Sequence, residues 1–276
     1  MSAILEVENL RVAYPSREGP VEVVRGVGFA LGHERLGIVG ESGSGKSQTG
    51  RAILGLTAPG GRVTADRLHF DGIDLRNASA RTWRQLRGRR MSMVMQDPKF
   101  SLNPVMTIGR QIVEAGQRGG VSRSAARDRA VEMLEAVQIR DPERVFDAYP
   151  HELSGGMGQR AMIAMMLFCR PDVLIADEPT SALDVTVQLE VLAILDDLVR
   201  DRGMGLIFIS HDLRLVSTFC DRVLVMYAGR VVEEIAAADL DRATHPYTRG
   251  LLNCLPRIEG DARPLPVLER DTAWTR

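Results

Sequence analysis

Apolar and polar residues alternate near the start of the chain, and short runs of apolar residues recur further along it. The alternation over Leu5–Val12 predicts a half-buried antiparallel strand. A hairpin is predicted over 223–233, with its turn at Ala228 and Gly229. Buried strands are predicted at 36–40, 172–176 and 205–210.

Helical periodicity fills most of the stretches between these strands. Helices are predicted over 48–56, 122–137 and 185–199. The pattern from about 83 to 154 is mostly helical, and Ser122 or Ser124 is a candidate cap for the helix in its middle. Strands that alternate with helices indicate a largely parallel α/β sheet, and the antiparallel pieces at both ends indicate a smaller β layer packed on it.

Composition narrows the class of protein. The 276 residues are 45% apolar and 26% charged, which is ordinary for a globular protein, and the net charge of −1 gives no reason to expect nucleic acid or a membrane surface as a partner. The longest apolar run, Ala161–Cys169, is far shorter than the roughly 20 residues that cross a bilayer. Three widely separated cysteines suggest reduced thiols. We therefore expect a cytosolic protein that reaches a membrane only by binding another protein.

A glycine-rich segment carries the first candidate chemistry. The sequence Gly-Glu-Ser-Gly-Ser-Gly-Lys-Ser at 40–47 fits the phosphate-loop pattern and lies between a predicted strand and a predicted helix. Its glycines let backbone N–H groups turn towards an anion, Lys46 can reach the β and γ phosphates, and Ser47 can ligate Mg²⁺. A chance glycine-rich loop would lack this context. Candidate nucleotide-binding residues are Gly40, Glu41, Ser42, Gly43, Ser44, Gly45, Lys46, Ser47 and Gln48. A kinase, a GTPase and a motor all remain open at this point.

Two carboxylates follow an apolar strand further along the chain. Asp177 ends the run that begins at Asp172, and an acid at that point can hold Mg²⁺ directly or through water. Glu178 can polarise or deprotonate an attacking water. Paired acids can be simple surface charge, but a phosphate loop upstream favours the functional interpretation.

The segment Leu-Ser-Gly-Gly-Met-Gly-Gln at 153–159 resembles the signature sequence of ABC ATPases, and it precedes Asp177 and Glu178 as in that family. Ser154 and the backbone N–H groups of Gly155 and Gly156 would form a second anion site at a helix start. The resemblance implies that this site faces the γ-phosphate bound by the opposite subunit of a head-to-tail dimer. In isolation the same segment could be a loop and a helix cap.

Other elements of the ABC family follow in order over about 5–234. Gln96 resembles the glutamine that contacts Mg²⁺ and water, and the segment 181–184 resembles the loop that crosses the dimer interface. His211 resembles the histidine that contacts the γ-phosphate, although a lone histidine after a strand is more often a solvated or capping residue. Tyr14 resembles the aromatic residue that stacks on adenine, although a tyrosine at a strand end often serves packing. The resemblance implies ATP and Mg²⁺ as ligands, catalysis by Glu178, His211, Gln96 and Lys46, and metal ligation by Ser47, Gln96 and Asp177.

The resemblance also implies a domain organisation. We expect an α/β, P-loop nucleotide-binding domain of ABC type over 1–235, with an antiparallel β subdomain and an inserted helical subdomain at about 97–158. A short C-terminal extension would occupy 236–276. One departure from the family is Gly158, which stands where a longer polar or basic residue is usual. The absence of the longer side chain is expected to loosen the signature helix or the packing of that helix on a partner subunit.

A finer resemblance is to the ATP-binding subunits of oligopeptide, dipeptide and nickel importers. The stretches that carry it are 96–104, 176–188 and His-Pro-Tyr-Thr-Arg-Gly-Leu-Leu at 245–252. Membrane helices, long coiled-coil or zinc-binding insertions and a repeated cassette are absent from the sequence, which disfavours an exporter subunit or a non-transport ATPase acting on nucleic acid or ribosomes. Some importers of this family carry a cysteine-rich segment and an iron–sulfur cluster. Because only Cys254 follows here, we predict no cluster.

The finer resemblance implies a set of partners. They are two integral-membrane permeases, a second related ATPase in a heterodimer, with a homodimer as the alternative, and an extracytoplasmic binding protein that acts indirectly. No nucleic acid is expected. The chain would be peripheral, at the cytoplasmic face of the inner membrane. Peptides are the first candidate cargo, and nickel or another metal chelate is the alternative.

Overall fold

The computed structural model describes residues 3–96, 101–118, 121–181, 183–255 and 274. The chain divides into two compact units, Met1–Asn77 with Phe208–Arg276 and Ala78–Ile207. Parts of three predicted segments lie outside the described residues: 97–100 of the stretch 96–104, Ala182 of the segment 181–184, and most of the C-terminal extension beyond 255.

The elements of the described residues follow in chain order. The strands are β1 (Leu5–Tyr14), β2 (Val21–Leu31), β3 (Arg35–Val39), β4 (Arg62–Thr64), β5 (Arg67–Phe70), β6 (Ile73–Asp74), β7 (Met91–Val94), β8 (Val173–Asp177), β9 (Gly205–Ile209), β10 (Arg222–Tyr227) and β11 (Arg230–Ala236). The α-helices are α1 (Lys46–Ile53), α2 (Ala80–Leu86), α3 (Ile108–Arg118), α4 (Arg123–Ala136), α5 (Pro142–Asp147), α6 (Gly155–Leu167), α7 (Val185–Arg202), α8 (Leu213–Phe219) and α9 (Pro246–Asn253). Short 3₁₀ helices occur at Pro150–Glu152 and Ala237–Arg242.

The first unit contains an antiparallel sheet in the order β2-β1-β5-β6, with β4 also paired to β1. Burial alternates along β1 as the sequence predicts, and the strand continues to Tyr14. The long strand β2 was not predicted from the sequence. In the same unit β10 lies parallel to β3 and antiparallel to β11, which confirms the predicted hairpin. Strand β3 is therefore paired along its length with β10, and the chain leaves the end of β3 in the turn that leads to α1.

The second unit pairs β7 with β8 in parallel, with Val94 opposite Ala176. Helices α3 to α6 lie between these strands in sequence. Ser122 caps α4 by accepting a hydrogen bond from the Ala125 N–H at 3.4 Å, as expected for one of the two candidate caps. Asp184 caps α7, and Gly203 ends that helix with a φ of 61°.

A further strand, β7, was not predicted from the sequence. Strand β7 lies inside the stretch from 83 to 154 that the pattern predicts to be mostly helical. All of its residues are buried, so the segment Met-Ser-Met-Val shows no alternation. A short, fully buried strand cannot be distinguished from a buried helical turn by periodicity alone, and partner strand β8 decides the outcome. Among the described residues, no helix combines the length and the apolar character needed to span a membrane.

Candidate nucleotide-binding and catalytic residues

The phosphate loop leaves the buried end of β3 and enters α1. Gly40 has a φ of 148°, and a Cβ there would collide with the backbone oxygen of Met226. Gly45, the N-cap of α1, has a φ of 100°, and a Cβ there would lie 2.6 Å from the Val23 oxygen. Both positions therefore require glycine, for the backbone angle and for the close approach of neighbouring strands. The loop is fixed by the fold around it, with its N–H groups at a helix start.

Lys46 is almost completely buried within this loop, with 5% of its surface exposed. Its Nζ donates hydrogen bonds to the backbone oxygens of Gly40 at 2.8 Å and Glu41 at 2.9 Å. Burial of an ammonium group is costly unless it is hydrogen-bonded, and the loop carbonyls supply those bonds. The cation is thus held inside the curve of the loop, where phosphate oxygens would offer stronger, charged acceptors.

Ser44 gives an independent indication of a ligand at the loop. Its side chain is 4% exposed, and its Oγ has no hydrogen-bond partner among the described residues. Buried hydroxyl groups almost always have a partner, so an orphan here needs an explanation. A phosphate oxygen bound in the loop would supply the missing acceptor. The loop backbone around it is anchored, because the Gly229 N–H donates to the Ser44 oxygen at 3.0 Å.

Tyr14 lies at the end of β1 and contacts the first turn of α1. Its hydroxyl donates a hydrogen bond to Gln48 Oε1 at 2.8 Å. Ser47 and Gln48 are both half-buried at the start of the helix, directly after Lys46. The structure therefore brings together the sequence-predicted Tyr14 and Gln48 beside the phosphate loop.

His211 follows β9 by two residues and is exposed. The preceding residue, Ser210, is buried and donates its backbone N–H to the Ile38 oxygen at 3.1 Å. Ile38 belongs to β3, two residues before Gly40. The chain just before His211 is therefore paired with the strand that leads into the phosphate loop.

In the second unit, the two carboxylates differ in environment. Asp177 ends the fully buried strand β8 and is 2% exposed. Glu178 is half-buried and adopts a φ of 48°, a left-handed conformation that is uncommon for residues other than glycine. The N–H and the hydroxyl of Ser181 both donate to the Glu178 oxygen, at 3.3 and 3.2 Å, and so stabilise the turn. Backbone strain of this kind clusters at functional sites.

Gln96 contacts the candidate catalytic carboxylate directly. It follows β7 by two residues, and its Nε2 donates a hydrogen bond to Glu178 Oε2 at 2.9 Å. The contact is possible because β7 and β8 are parallel neighbours whose carboxyl ends lie at one edge. The two sequence-predicted residues, 82 positions apart, are thus brought into contact.

The signature segment begins α6. Ser154 is the N-cap, and its Oγ accepts a hydrogen bond from the Met157 N–H at 3.3 Å. A Cβ at Gly155 would meet nothing within 4 Å, and one at Gly156 would make only ordinary contacts with Leu183 and Val187. Packing within the described residues therefore does not require glycine at either position. Close approach of a ligand to the backbone is a remaining reason for glycine there.

Gln159 is a residue whose role the sequence did not indicate. It is 2% exposed, and its Nε2 donates to the Pro179 oxygen at 2.8 Å. This bond ties the start of α6 to the residue after Glu178. The sequence placed Gln159 only at the end of the signature segment 153–159, next to Gly158, and did not indicate this contact. The effect of Gly158 on the signature helix remains a prediction.

Comparison with known sequences agrees with the resemblance to ABC ATPases that the motifs indicate. A model of the family described as ABC transporter matches residues 26–181. The probable peptide ABC transporter ATP-binding protein y4tR of Sinorhizobium fredii is 49% identical over 270 residues, which are 96% of this chain and 81% of that protein. The dipeptide transport ATP-binding protein DppD of Haemophilus influenzae is 48% identical over 265 residues, which are 95% of this chain and 80% of that protein.

A solved structure is similar as well. The ATP-binding cassette MJ0796, solved as a dimer in a post-hydrolysis state with ADP and phosphate, matches with a TM-score of 0.76 at 26% identity. The match covers 84% of this chain and 98% of the cassette. The likeness confirms the α/β fold class, with its antiparallel sheet and helical part, that the sequence predicts.

Proposed function

This chain belongs to the ABC transporter family, and on that premise we propose that it is the ATP-hydrolysing subunit that powers import of peptides through a pair of membrane permeases. The observation that carries the choice of cargo is the identity of 49% and 48% to two proteins named for peptide and dipeptide transport, over nearly the whole chain. Two observations support nucleotide binding at the phosphate loop: Lys46 is buried, and the Ser44 hydroxyl has no hydrogen-bond partner in the part of the chain that the structure describes.

Nucleotide binding is assigned to the loop 40–48. The ammonium group of Lys46 binds the β and γ phosphates, and the loop N–H groups and the Ser44 hydroxyl bind their oxygens. Tyr14 stacks on the adenine ring, with its own ring fixed by the hydrogen bond to Gln48. His211 contacts the γ-phosphate.

The proposed Mg²⁺ ligands suit that ion. They are the Ser47 hydroxyl, the Gln96 amide oxygen and the Asp177 carboxylate, all oxygen donors of the type that Mg²⁺ prefers. Asp177 is 2% exposed, and a carboxylate so deeply buried is stabilised by a nearby cation. When bound, Mg²⁺ neutralises charge on the phosphates and orients them.

Hydrolysis is assigned to Glu178. Its carboxylate accepts a proton from the water that attacks the γ-phosphorus, while the bond from Gln96 Nε2 to Glu178 Oε2 orients the carboxylate. The water oxygen bonds to phosphorus, the bond to the β–γ bridging oxygen breaks, and ADP and phosphate result. Positioning and charge neutralisation supply most of the rate enhancement in phosphoryl transfer.

The signature segment acts on the nucleotide of a second subunit. Ser154, Gly155 and Gly156 present a hydroxyl and N–H groups at the start of α6, and an ATP held by the partner's phosphate loop completes the site. The dimeric state of the similar cassette supports this arrangement. The partner is a related ATPase rather than a second copy of this chain, and both lie beneath the permeases at the cytoplasmic face of the inner membrane.

Isolation of the native complex tests this proposal. We would tag the chain in its own cell, solubilise the membranes in mild detergent and identify the co-purifying proteins by mass spectrometry. The proposal predicts two permeases and a second ATPase, and an associated binding protein that binds peptides. A soluble complex with ribosomes or DNA-bound proteins would contradict the transport role and leave the ATPase assignment standing.

The role of Tyr14 can be tested separately. Replacement by alanine removes the stacking ring, and we expect the KM for ATP to rise about 10-fold, within the range reported for base–aromatic stacking. Tyr14→Phe keeps the ring and loses only the bond to Gln48, so its KM should stay within about 3-fold of wild type. Steady-state ATPase kinetics measure both variants. An equal effect of the two substitutions would exclude stacking as the role of Tyr14.

A further inference from the structure

A tyrosine outside the phosphate loop contacts the loop backbone. Tyr247 lies in α9, in the C-terminal segment, and is completely buried. Its hydroxyl oxygen accepts a hydrogen bond from the Glu41 N–H at 3.1 Å. The two residues are 206 positions apart, and both belong to the first unit. None of the roles assigned above involves this contact.

The carbonyl groups on both sides of the Glu41 N–H accept hydrogen bonds from the Lys46 ammonium group. The Gly40 oxygen, which belongs to the same peptide group as that N–H, accepts at 2.8 Å. The Glu41 oxygen accepts a hydrogen bond from Lys46 Nζ at 2.9 Å. Tyr247 thus fixes the N–H of Glu41, and Lys46 binds the carbonyl group of the same residue. A rotation of the backbone at Glu41 would move the oxygen that holds the Lys46 ammonium group. The position of that ammonium group therefore depends on the tyrosine hydroxyl.

The tyrosine ring is itself held firmly. It packs against Tyr227 with 4.5 Å between ring centroids and against Trp274 with 5.8 Å. The Tyr247 N–H donates to Nδ1 of His245, the cap of α9, at 3.2 Å. A fully buried ring with aromatic neighbours has little freedom to rotate. The Tyr247 hydroxyl therefore keeps a constant position and restrains the loop through its hydrogen bond to the Glu41 N–H.

The start of α9 is also anchored to the sheet. Glu233 of β11 accepts hydrogen bonds from the Thr244 N–H at 2.7 Å, the Thr244 hydroxyl at 3.0 Å and the His245 N–H at 3.2 Å. Burial of Glu233 raises its pKa, but the nearby Thr248 side chain and the hydrogen bonds from Thr244 and His245 outweigh burial and hold the pKa below the ordinary value. The carboxylate is thus charged at neutral pH and secures the helix that carries Tyr247.

We propose that Tyr247 is a positioning residue for nucleotide binding, which holds the Glu41 peptide, and through it Lys46, in the geometry that receives the phosphates. The inference rests on the proposed binding of ATP at the loop 40–48. It assigns to the C-terminal segment a part in the affinity of the ATP site, independent of which cargo is transported.

The test compares two tyrosine-to-phenylalanine variants of the full chain. Tyr247→Phe removes the hydroxyl and keeps the buried ring. Tyr227→Phe makes the same chemical change in the same aromatic cluster, and within the described residues the Tyr227 hydroxyl makes no hydrogen bond to the loop. The Kd for trinitrophenyl-ATP would be measured by fluorescence, and the KM and kcat for ATP by steady-state hydrolysis.

For Tyr247→Phe we expect Kd and KM to rise roughly 3- to 10-fold, the range that loss of one hydrogen bond supports, while kcat changes less than about 2-fold. Tyr227→Phe should stay within about 2-fold of wild type in all three constants. A purely structural role for Tyr247 would lower the melting temperature and leave Kd unchanged. That result, or an equal effect of the two variants on Kd, would overturn the proposal.

Amide exchange gives a second readout that does not depend on nucleotide. The Glu41 N–H should exchange with solvent faster in Tyr247→Phe than in wild type, by roughly 3-fold or more, and at the wild-type rate in Tyr227→Phe. Unchanged exchange at Glu41 would also overturn the proposal. If wild type binds nucleotide and only the Tyr247 effects are missing, the ATPase and import assignments stand. If wild type fails to bind nucleotide, those assignments and this inference fail together.

Discussion

Glu178→Gln is expected to leave ATP binding near the wild-type level and to slow hydrolysis by about 100-fold or more, as loss of a general base typically does. The amide is nearly isosteric with the carboxylate, but it cannot accept the proton of the attacking water. The variant should therefore accumulate bound ATP, measured as nucleotide retained on the protein after rapid gel filtration and as turnover in a phosphate-release assay.

The matched control is Glu132→Gln, which makes the same change at an exposed glutamate of α4. Its binding and turnover should equal those of wild type. Normal turnover of the Glu178→Gln protein would contradict the assignment of the base. Glutamine and glutamate have similar backbone preferences, so we expect the left-handed conformation at residue 178 to be the same in the variant.

Lys46→Ala is expected to weaken ATP binding by about 10- to 100-fold, since one hydrogen bond to a charged group contributes about 1.5 to 3 kcal/mol. The substitution removes the cation that now binds the Gly40 and Glu41 oxygens. Isothermal titration with ATP measures the affinity of both proteins.

Because Lys46 is 5% exposed, alanine also leaves a cavity, and a second variant separates the two effects. Lys46→Met keeps most of the length of the side chain and removes the ammonium group, with its charge and its hydrogen bonds. We expect it to bind ATP as weakly as Lys46→Ala while melting closer to wild type. ATP affinity near wild type in the methionine variant would show that the ammonium group does not hold the phosphates.

The phosphate loop was predictable because its requirements are local. Glycines at 40 and 45 are needed for backbone angles and close approach, Lys46 follows in the same turn, and the motif is contiguous. The order of this loop, the signature at 153–159 and the acids at 177–178 also indicated the ABC family, and the family match over 26–181 confirms it.

Contacts made by the fold could not be predicted in the same way. The strand β7 is buried on all sides, so its sequence carries no alternation, and its identity depends on its partner β8. The bonds from Gln96 to Glu178 and from the Glu41 N–H to Tyr247 join residues 82 and 206 positions apart. Contacts between residues so far apart produce no pattern of apolar and polar positions from which they could be predicted. Gln159 was overlooked for the same reason, since its acceptor at Pro179 belongs to another element.

The most direct test of the central claim is uptake of a radiolabelled oligopeptide by cells that have this transporter as their sole peptide uptake system. The wild-type gene would be compared with the Glu178→Gln allele at equal amounts of membrane-bound protein. The proposed function predicts that uptake in the variant falls to the level of cells that lack the gene. Uptake at the wild-type rate in the variant would contradict the claim that ATP hydrolysis by this chain drives peptide import.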